Sequence, residues 1–159
     1  MAVDDGRHHN YSESVTGKRL LESDAWVKLQ RASDRLLGQL AQTLKPYGVS
    51  PTQYNALRIL RGAGPDGLSC GEVAARMINQ DPDVTRLFDR MEKPGWIVRE
   101  RSRADRRVLL SRVTNEGLRL LDSLDPTIAA YHRATMGHLT QTELKELGRL
   151  LDRLLASKT

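Results

Sequence analysis

Arginine dominates the side chains of this 159-residue chain that could do chemistry. Arg99, Arg101, Arg103, Arg106, Arg107 and Arg112 stand against only Glu100 and Asp105 in the same fourteen residues, a local excess of +4 in a chain of formal charge +5. A basic cluster of that density attracts phosphate through counterion release and long-range steering; the competing reading is a solvated surface hairpin. The chain has two Trp, four Tyr and one Phe, and of these only Trp96 lies near the cluster. That is too little aromatic surface for the stacking platforms on which single strands and RNA are read. Duplex DNA is the better match. Other chemistries lack their parts: there is no phosphate-cradling glycine loop, no nucleophile elbow and no His-Glu cluster at metal spacing. His132 and His138 do not share a helix face, and His8 and His9 lack ligand-spaced partners and read as solvated. Neither catalysis, nor a cofactor, nor a metal is expected.

Placing those arginines requires a fold, and the chain can bury one: 39% of its residues are hydrophobic and 28% charged. No apolar run exceeds the four residues Ile128 to Tyr131, against roughly 18 for a bilayer span. The N-terminus carries no signal-like segment, and the single Cys70 rules out an internal disulfide and a thiolate zinc cage. A cytoplasmic protein without a membrane partner is the expectation. Residues 1–20 are polar and aperiodic, a mobile arm, and residues 21–159 read as one domain.

Within that domain, Leu29, Leu36, Leu37, Leu40 and Leu44 share a helix face that must end near Lys45-Pro46, because the residue before proline avoids the helical region. Ser50-Pro51-Thr52-Gln53 is a capping box with proline at the first helical position; it opens a second helix carrying Tyr54, Leu57 and Leu60, which Gly62-Ala63-Gly64-Pro65 stops. Ser69-Cys70-Gly71-Glu72 is another box, opening a short helix with Val73, Ala74, Met77 and Ile78 inward. Asn79-Gln80 supplies a turn and Asp81-Pro82 starts the next helix, with Val84, Leu87, Phe88 and Met91 in amphipathic register up to Pro94-Gly95. Two short capped helices about a tight turn are a helix-turn-helix candidate.

Trp96–Arg101 and Arg107–Val113 then read as a β-hairpin with an arginine-rich tip. Thr114 caps a long helix with Leu118, Leu121, Leu124 and Ile128 on one side and Pro126 as a kink. Thr140-Gln141-Thr142-Glu143 opens the last helix, whose Leu144, Leu147, Leu151 and Leu154 form a stripe widened by Leu150 and Leu155. Such a stripe packs within its own domain or against a second copy.

The segments GVSPTQYNALRIL, LSCGEVAARM and DVTRLFDRMEKPGWIVRERSRADRRVLLSRVTNEG resemble, in order and from Gly48 to Gly117, the MarR family of transcriptional regulators. The Thr85–Met91 run TRLFDRM, the Asp105–Arg107 pattern D-x-R and the helix start Thr114-Asn115-Glu116-Gly117 carry the match in register. The resemblance implies a mainly α fold with a small β-hairpin wing. The winged helix-turn-helix spans about 48–117, between dimerisation helices at 21–46 and 114–156. It further implies a homodimer on a pseudo-palindromic duplex DNA operator, with a recognition helix in the major groove and the wing over the minor groove. In function it implies a repressor relieved by a small lipophilic or aromatic ligand.

On that reading Thr85, Arg86 and Arg90 offer hydroxyl and guanidinium groups to phosphates and base edges, with Arg86 as base reader. The alternative for Arg86 is a surface pair with Asp83 or Asp89. Asp89 is structural, fixing Arg86 or the wing. The D-x-R resemblance makes Arg107 the minor-groove arginine, with Asp105 holding it and Arg103 or Arg106 on phosphate; a hairpin-closing salt bridge is the alternative. Asp83 departs from the small hydroxyl residue of many relatives. It either accepts from a cytosine amino group or favours the helix dipole. Ser50, Thr52, Gln53 and Ser69 are phosphate contacts or plain caps.

Three further readings stay open. Cys70, at a helix start that favours thiolate, could be a redox switch, against the plainer reading of a small residue behind a capping serine. Trp26, Gln30, Tyr54, Arg58 and His132 are residue types that could line an effector pocket, an aromatic wall with polar anchors. A winged helix used for protein contacts is a third possibility.

Overall fold

The structure, a computed structural model, describes residues 20–78, 83–102 and 105–156. The arm expected at the N-terminus therefore lies, apart from Leu20, outside the described residues, as do His8, His9, Arg103, the Asn79-Gln80 turn and Asp81-Pro82. Six helices are described: α1 (Leu21–Leu44), α2 (Pro51–Ala63), α3 (Cys70–Arg76), α4 (Val84–Glu92), α5 (Asn115–Met136) and α6 (Gln141–Ala156). Three strands accompany them, β1 (Leu68–Ser69), β2 (Ile97–Arg101) and β3 (Leu109–Val113). This is the mainly α fold with a small sheet that the sequence implied. No described helix is long and apolar enough to cross a membrane.

By compactness the chain divides into Met1–Gln39 and Leu40–Thr159. The described part of the first unit belongs to α1, where Trp26 is 62% and Leu21 84% exposed, and where Lys28 pairs with Asp24 one turn earlier at 2.5 Å. The second unit holds the core. Leu44, Leu57, Leu60, Val73, Leu87, Phe88, Met91, Ile97, Leu121 and Leu124 are all fully buried there. Five of the six helices thereby contribute to one apolar cluster, and α6 contributes none of its residues to the buried set.

Local chemistry sets each boundary. Both predicted capping boxes at Ser50/Gln53 and Ser69/Glu72 form, each serine accepting from the backbone three residues on and each partner side chain accepting from the serine N–H. These reciprocal bonds satisfy helix-end donors that would otherwise be orphaned. Thr140 and Glu143 do the same for α6. Thr114 caps α5 through Gly117 N–H and also donates to the Gly95 carbonyl, tying the start of α5 to the turn after α4.

The sheet is antiparallel in the order β1-β3-β2, with Ile97 opposite Val113, Arg101 opposite Leu109 and Leu68 opposite Ser111. The third strand, β1, was not expected. It can dock beside β3 because Gly67 precedes it: at φ +70° Gly67 adopts a conformation other residues resist, and a Cβ there would lie 2.7 Å from Ser111 O.

One expectation is corrected. Helix α3 stops at Arg76 and Met77 is extended, at φ −69° and ψ 144°. Met77 still turns inward, but Ile78 is carried out to 79% exposure, its N–H held by the Asn55 side chain of α2 at 2.9 Å. The helical spacing that placed Ile78 inward had already ended. The next helix is described from Val84 with Asp83 as its N-cap, the Asp83 carboxylate accepting the Arg86 N–H at 3.0 Å.

Candidate nucleic-acid interface

Helix α4 sorts its residues by face. Leu87, Phe88 and Met91 are buried, which leaves Thr85, Arg86, Asp89 and Arg90 exposed on the other side. The spacing predicted this division. Arg86 carries the anticipated pair, its Nε 2.9 Å from Asp83 Oδ2, with side-chain exposures of 82% and 45%. Asp83 thus caps the helix and charges its N-terminus favourably, the second of the roles open to it. Arg90 has no ion-pair partner among the described residues.

The wing is attached to α4 by a brace that sequence reading missed. Arg99 on β2, only 16% exposed, places Nη2 at 2.6 Å from Asp89 Oδ1 and 2.5 Å from Glu92 Oε2. Its Nε donates to Glu92 Oε2 at 2.8 Å and its backbone N–H to Glu92 Oε1 at 3.2 Å. Hydrogen bonding to Glu92 outweighs the burial that opposes charge, and the guanidinium is held above its ordinary pKa, with Asp89 adding to the effect. Asp89 therefore fixes the wing, one of the two structural roles anticipated for it. The signal was present as two acids three residues apart on the helix and one arginine in the following strand. Counting Arg99 with the basic cluster concealed it.

The cluster is consequently less uniform than its composition. Arg112 pairs with Glu100 at 2.8 Å and donates to the Pro65 carbonyl. Arg101 donates to the Arg106 carbonyl at 2.7 Å across the tip. Asp105 accepts the backbone N–H of Arg107 at 2.9 Å, and the Asp105 carbonyl accepts from Val108. Asp105 thus holds the chain at Arg107 and not its guanidinium. Among the described residues, Arg106 and Arg107 are exposed and have no carboxylate partner, so the hairpin-closing salt bridge is absent there. The brace and the Arg112–Glu100 pair each take one cation from the face, and the tip keeps its own.

The remaining candidates fall elsewhere. Ser50, Gln53 and Ser69 are engaged as caps, and Thr52 is half-buried at the start of α2. Tyr54 and Arg58 come together: Arg58 Nη1 donates to Tyr54 Oη at 2.8 Å and the guanidinium lies 5.8 Å from the ring centre. Tyr54 is buried in the core. His132 is exposed beside the Tyr131 ring at 5.4 Å, and Trp26 and Gln30 are exposed on α1. Cys70 is half-buried, and burial pushes its thiol up despite the opposing charge of Arg99. The thiolate that a helix start can favour is not favoured here, because desolvation exceeds the help from the neighbouring cation.

Comparison with known proteins identifies the family. The MarR family's sequence signature matches residues 47–108. PrsX of Escherichia coli, an HTH-type transcriptional regulator, is 30% identical over 125 residues, 79% of this chain and 75% of PrsX. A MarR transcription factor from Planctomyces limnophilus is 35% identical in its crystal structure, with 85% of this chain and 98% of that one covered at a TM-score of 0.66. CouR from Rhodococcus jostii RHA1, solved bound to p-coumaroyl-CoA, is 26% identical, with 89% and 99% covered at a TM-score of 0.75. With its capped helix-turn-helix, its braced wing and these relatives, the chain belongs to the MarR family of transcriptional regulators, proteins that act on transcription and not as enzymes.

Proposed function

We propose that the chain works as a homodimer on a pseudo-palindromic duplex operator, with α4 in the major groove and the β2–β3 wing over the minor groove, and that it represses transcription by occupying that site. One observation carries the reading: Thr85, Arg86 and Arg90 on α4 and Arg106 and Arg107 at the wing tip are exposed on two elements that Arg99 joins. A helix and a ribbon held at fixed separation can enter adjacent grooves together, and cations on both meet the phosphates between. The dimer is supported by α6, which buries no residue while Leu144, Leu147, Leu150 and Leu154 are 38–55% exposed. A second copy is the natural cover for such a stripe.

A salt titration of binding to the duplex upstream of the protein's own reading frame, with random duplex as competitor, tests the proposal. Steep salt dependence with strong preference over competitor is the expected result. Arg86→Ala and Arg107→Ala should each cost about 1–3 kcal/mol of operator binding while leaving the urea melt unchanged. Weak binding without preference would turn the reading toward a winged helix used for protein contacts.

For relief of repression we infer a small aromatic or lipophilic effector; the ligand of CouR, p-coumaroyl-CoA, shares with it an aromatic acyl group. The Tyr54–Arg58 pair offers an aromatic ring with a cationic anchor for such a molecule. The effector must bind the DNA-incompetent state better than the competent one, since equal affinity shifts nothing. Release of bound operator by aromatic acids and their thioesters, lost in Arg58→Ala, is the measurement.

A further inference from the structure

Asp83 and Arg86 stand at the first turn of α4, the end from which recognition helices of the helix-turn-helix class reach base edges. One carboxylate makes two connections between them. Asp83 Oδ1 accepts the Arg86 backbone N–H at 3.0 Å, and Oδ2 lies 2.9 Å from Arg86 Nε. The helix start is thereby hydrogen-bonded, and the guanidinium ion-paired, to the same group. The side chain of Arg86 is nonetheless 82% exposed, and its two terminal nitrogens have no partner among the described residues.

The chemistry of that arrangement is specific. A carboxylate 2.9 Å from Nε draws the guanidinium toward one orientation, and its outward Nη1 and Nη2 form a fork. Guanine presents two acceptors, O6 and N7, at matching spacing in the major groove, whereas adenine presents an acceptor beside a donor that repels the second N–H. A fork fixed beforehand gives up less side-chain freedom on binding, and it cannot swing away to a phosphate as easily. The carboxylate itself repels phosphate, so a purely electrostatic DNA contact gains nothing from it.

Building on the operator-binding reading above, we propose that Asp83 is a positioning residue for sequence specificity: it aims the Arg86 fork at a guanine in each operator half-site. The opposing explanation is an exposed pair within one helical turn, of the kind that commonly contributes little and reads nothing.

Asp83→Asn separates the two. Asparagine caps helices about as well as aspartate, so α4 keeps its start while Nε loses its anionic partner. The full-length protein, Asp83→Asn, Arg86→Ala and Arg86→Lys would each be taken through selection from a random duplex library. Competition binding would then compare guanine with adenine at the enriched position, alongside random duplex, and a thermal melt of each variant would report folding. For the unaltered protein a guanine preference of about tenfold or more is expected, abolished in Arg86→Ala and weakened in Arg86→Lys, whose ammonium reaches O6 and N7 without the planar fork. In Asp83→Asn the preference should fall toward unity while random duplex binds as tightly or more tightly.

An undiminished guanine preference in Asp83→Asn overturns the proposal and leaves a surface ion pair. Preference surviving in Arg86→Ala overturns it by placing the reader elsewhere. A folded, unaltered protein that selects no sequence removes the operator reading itself, and this assignment falls with it.

Discussion

Helix α4 has nine residues and α6 sixteen, and both carry an apolar stripe, yet the two stripes end up in different surroundings. In α4 the stripe is Leu87, Phe88 and Met91, each 1% exposed or less; in α6 Leu144, Leu147, Leu150 and Leu154 range from 38% to 55%. Periodicity in a sequence states that a face must be covered, and it does not state what covers it. Helix α4 and the wing are closed off through the core and through Arg99. Helix α6 keeps its leucines available, in the manner of a helix whose partner surface lies on another copy.

The largest test of that contrast is Phe88→Ala. Removing a fully buried ring should cost on the order of 3–5 kcal/mol in a urea melt. The same truncation at Leu147 should cost far less within a single copy, because the side chain is already more than one-third exposed. Comparable losses at both positions would mean that α6 packs into its own chain and would collapse the distinction.

The next test charges the α6 stripe. Leu147→Glu combined with Leu154→Glu should convert a dimer to monomers in sedimentation equilibrium while leaving the helix-turn-helix folded. Operator binding should then fall about 100-fold or more, because two linked half-site contacts become independent. A dimer that survives both charges would move the interface elsewhere.

How these features could be read from the sequence follows the same division. Local signals were legible: three Ser or Thr capping boxes, the proline and glycine stops and the alternation in the wing each act within a few residues. Long-range pairings were not. Strand β1 has two residues and exists because Leu68 and Ser69 meet Ser111 and Leu110 far along the chain. Ile78 lies beyond the last residue of α3, and nothing in its spacing revealed that the helix ends first. The Arg99 brace joins residues ten apart in sequence through two elements, so a count of charges recorded a free cation where the fold makes a half-buried ion pair. Among the candidate site residues, the exposed face of α4 follows from periodicity. Whether Tyr54 serves the core or a ligand does not, since either use requires an apolar surround.

Arg99→Met sharpens the comparison on the reading side. It keeps the apolar stem but leaves Asp89 and Glu92 without their shared cation. Operator affinity should drop about tenfold, with the dimer intact. A double-mutant cycle between Arg86→Ala and Arg107→Ala gives the diagnostic: non-additive in the parent protein and additive once the brace is gone. Additivity in both backgrounds would show that α4 and the wing bind independently.

The smallest effect belongs to a tie on the outside of the core, where packing already holds the elements. Arg61 on α2 donates to both carboxylate oxygens of Asp125 on α5, at 2.9 and 3.1 Å. These hydrogen bonds hold the Asp125 carboxyl below its ordinary range, with the charges of Arg61 and Arg58 adding to the effect and partial burial opposing it. A pKa lowered by folding means that the native state binds the proton less readily than the unfolded chain. The contribution is therefore complete above the unfolded carboxylate value near 4 and disappears as pH falls through the lower, folded value. Asp125→Asn should lower the melting temperature at pH 7, and the two proteins should converge in acid. Because the Asp125 side chain is 46% exposed, screening limits the difference to under about 1 kcal/mol, shrinking further in high salt. A larger difference, or one that persists at pH 2, would show that the α2–α5 contact depends on this pair rather than on Leu57, Leu60, Leu121 and Leu124.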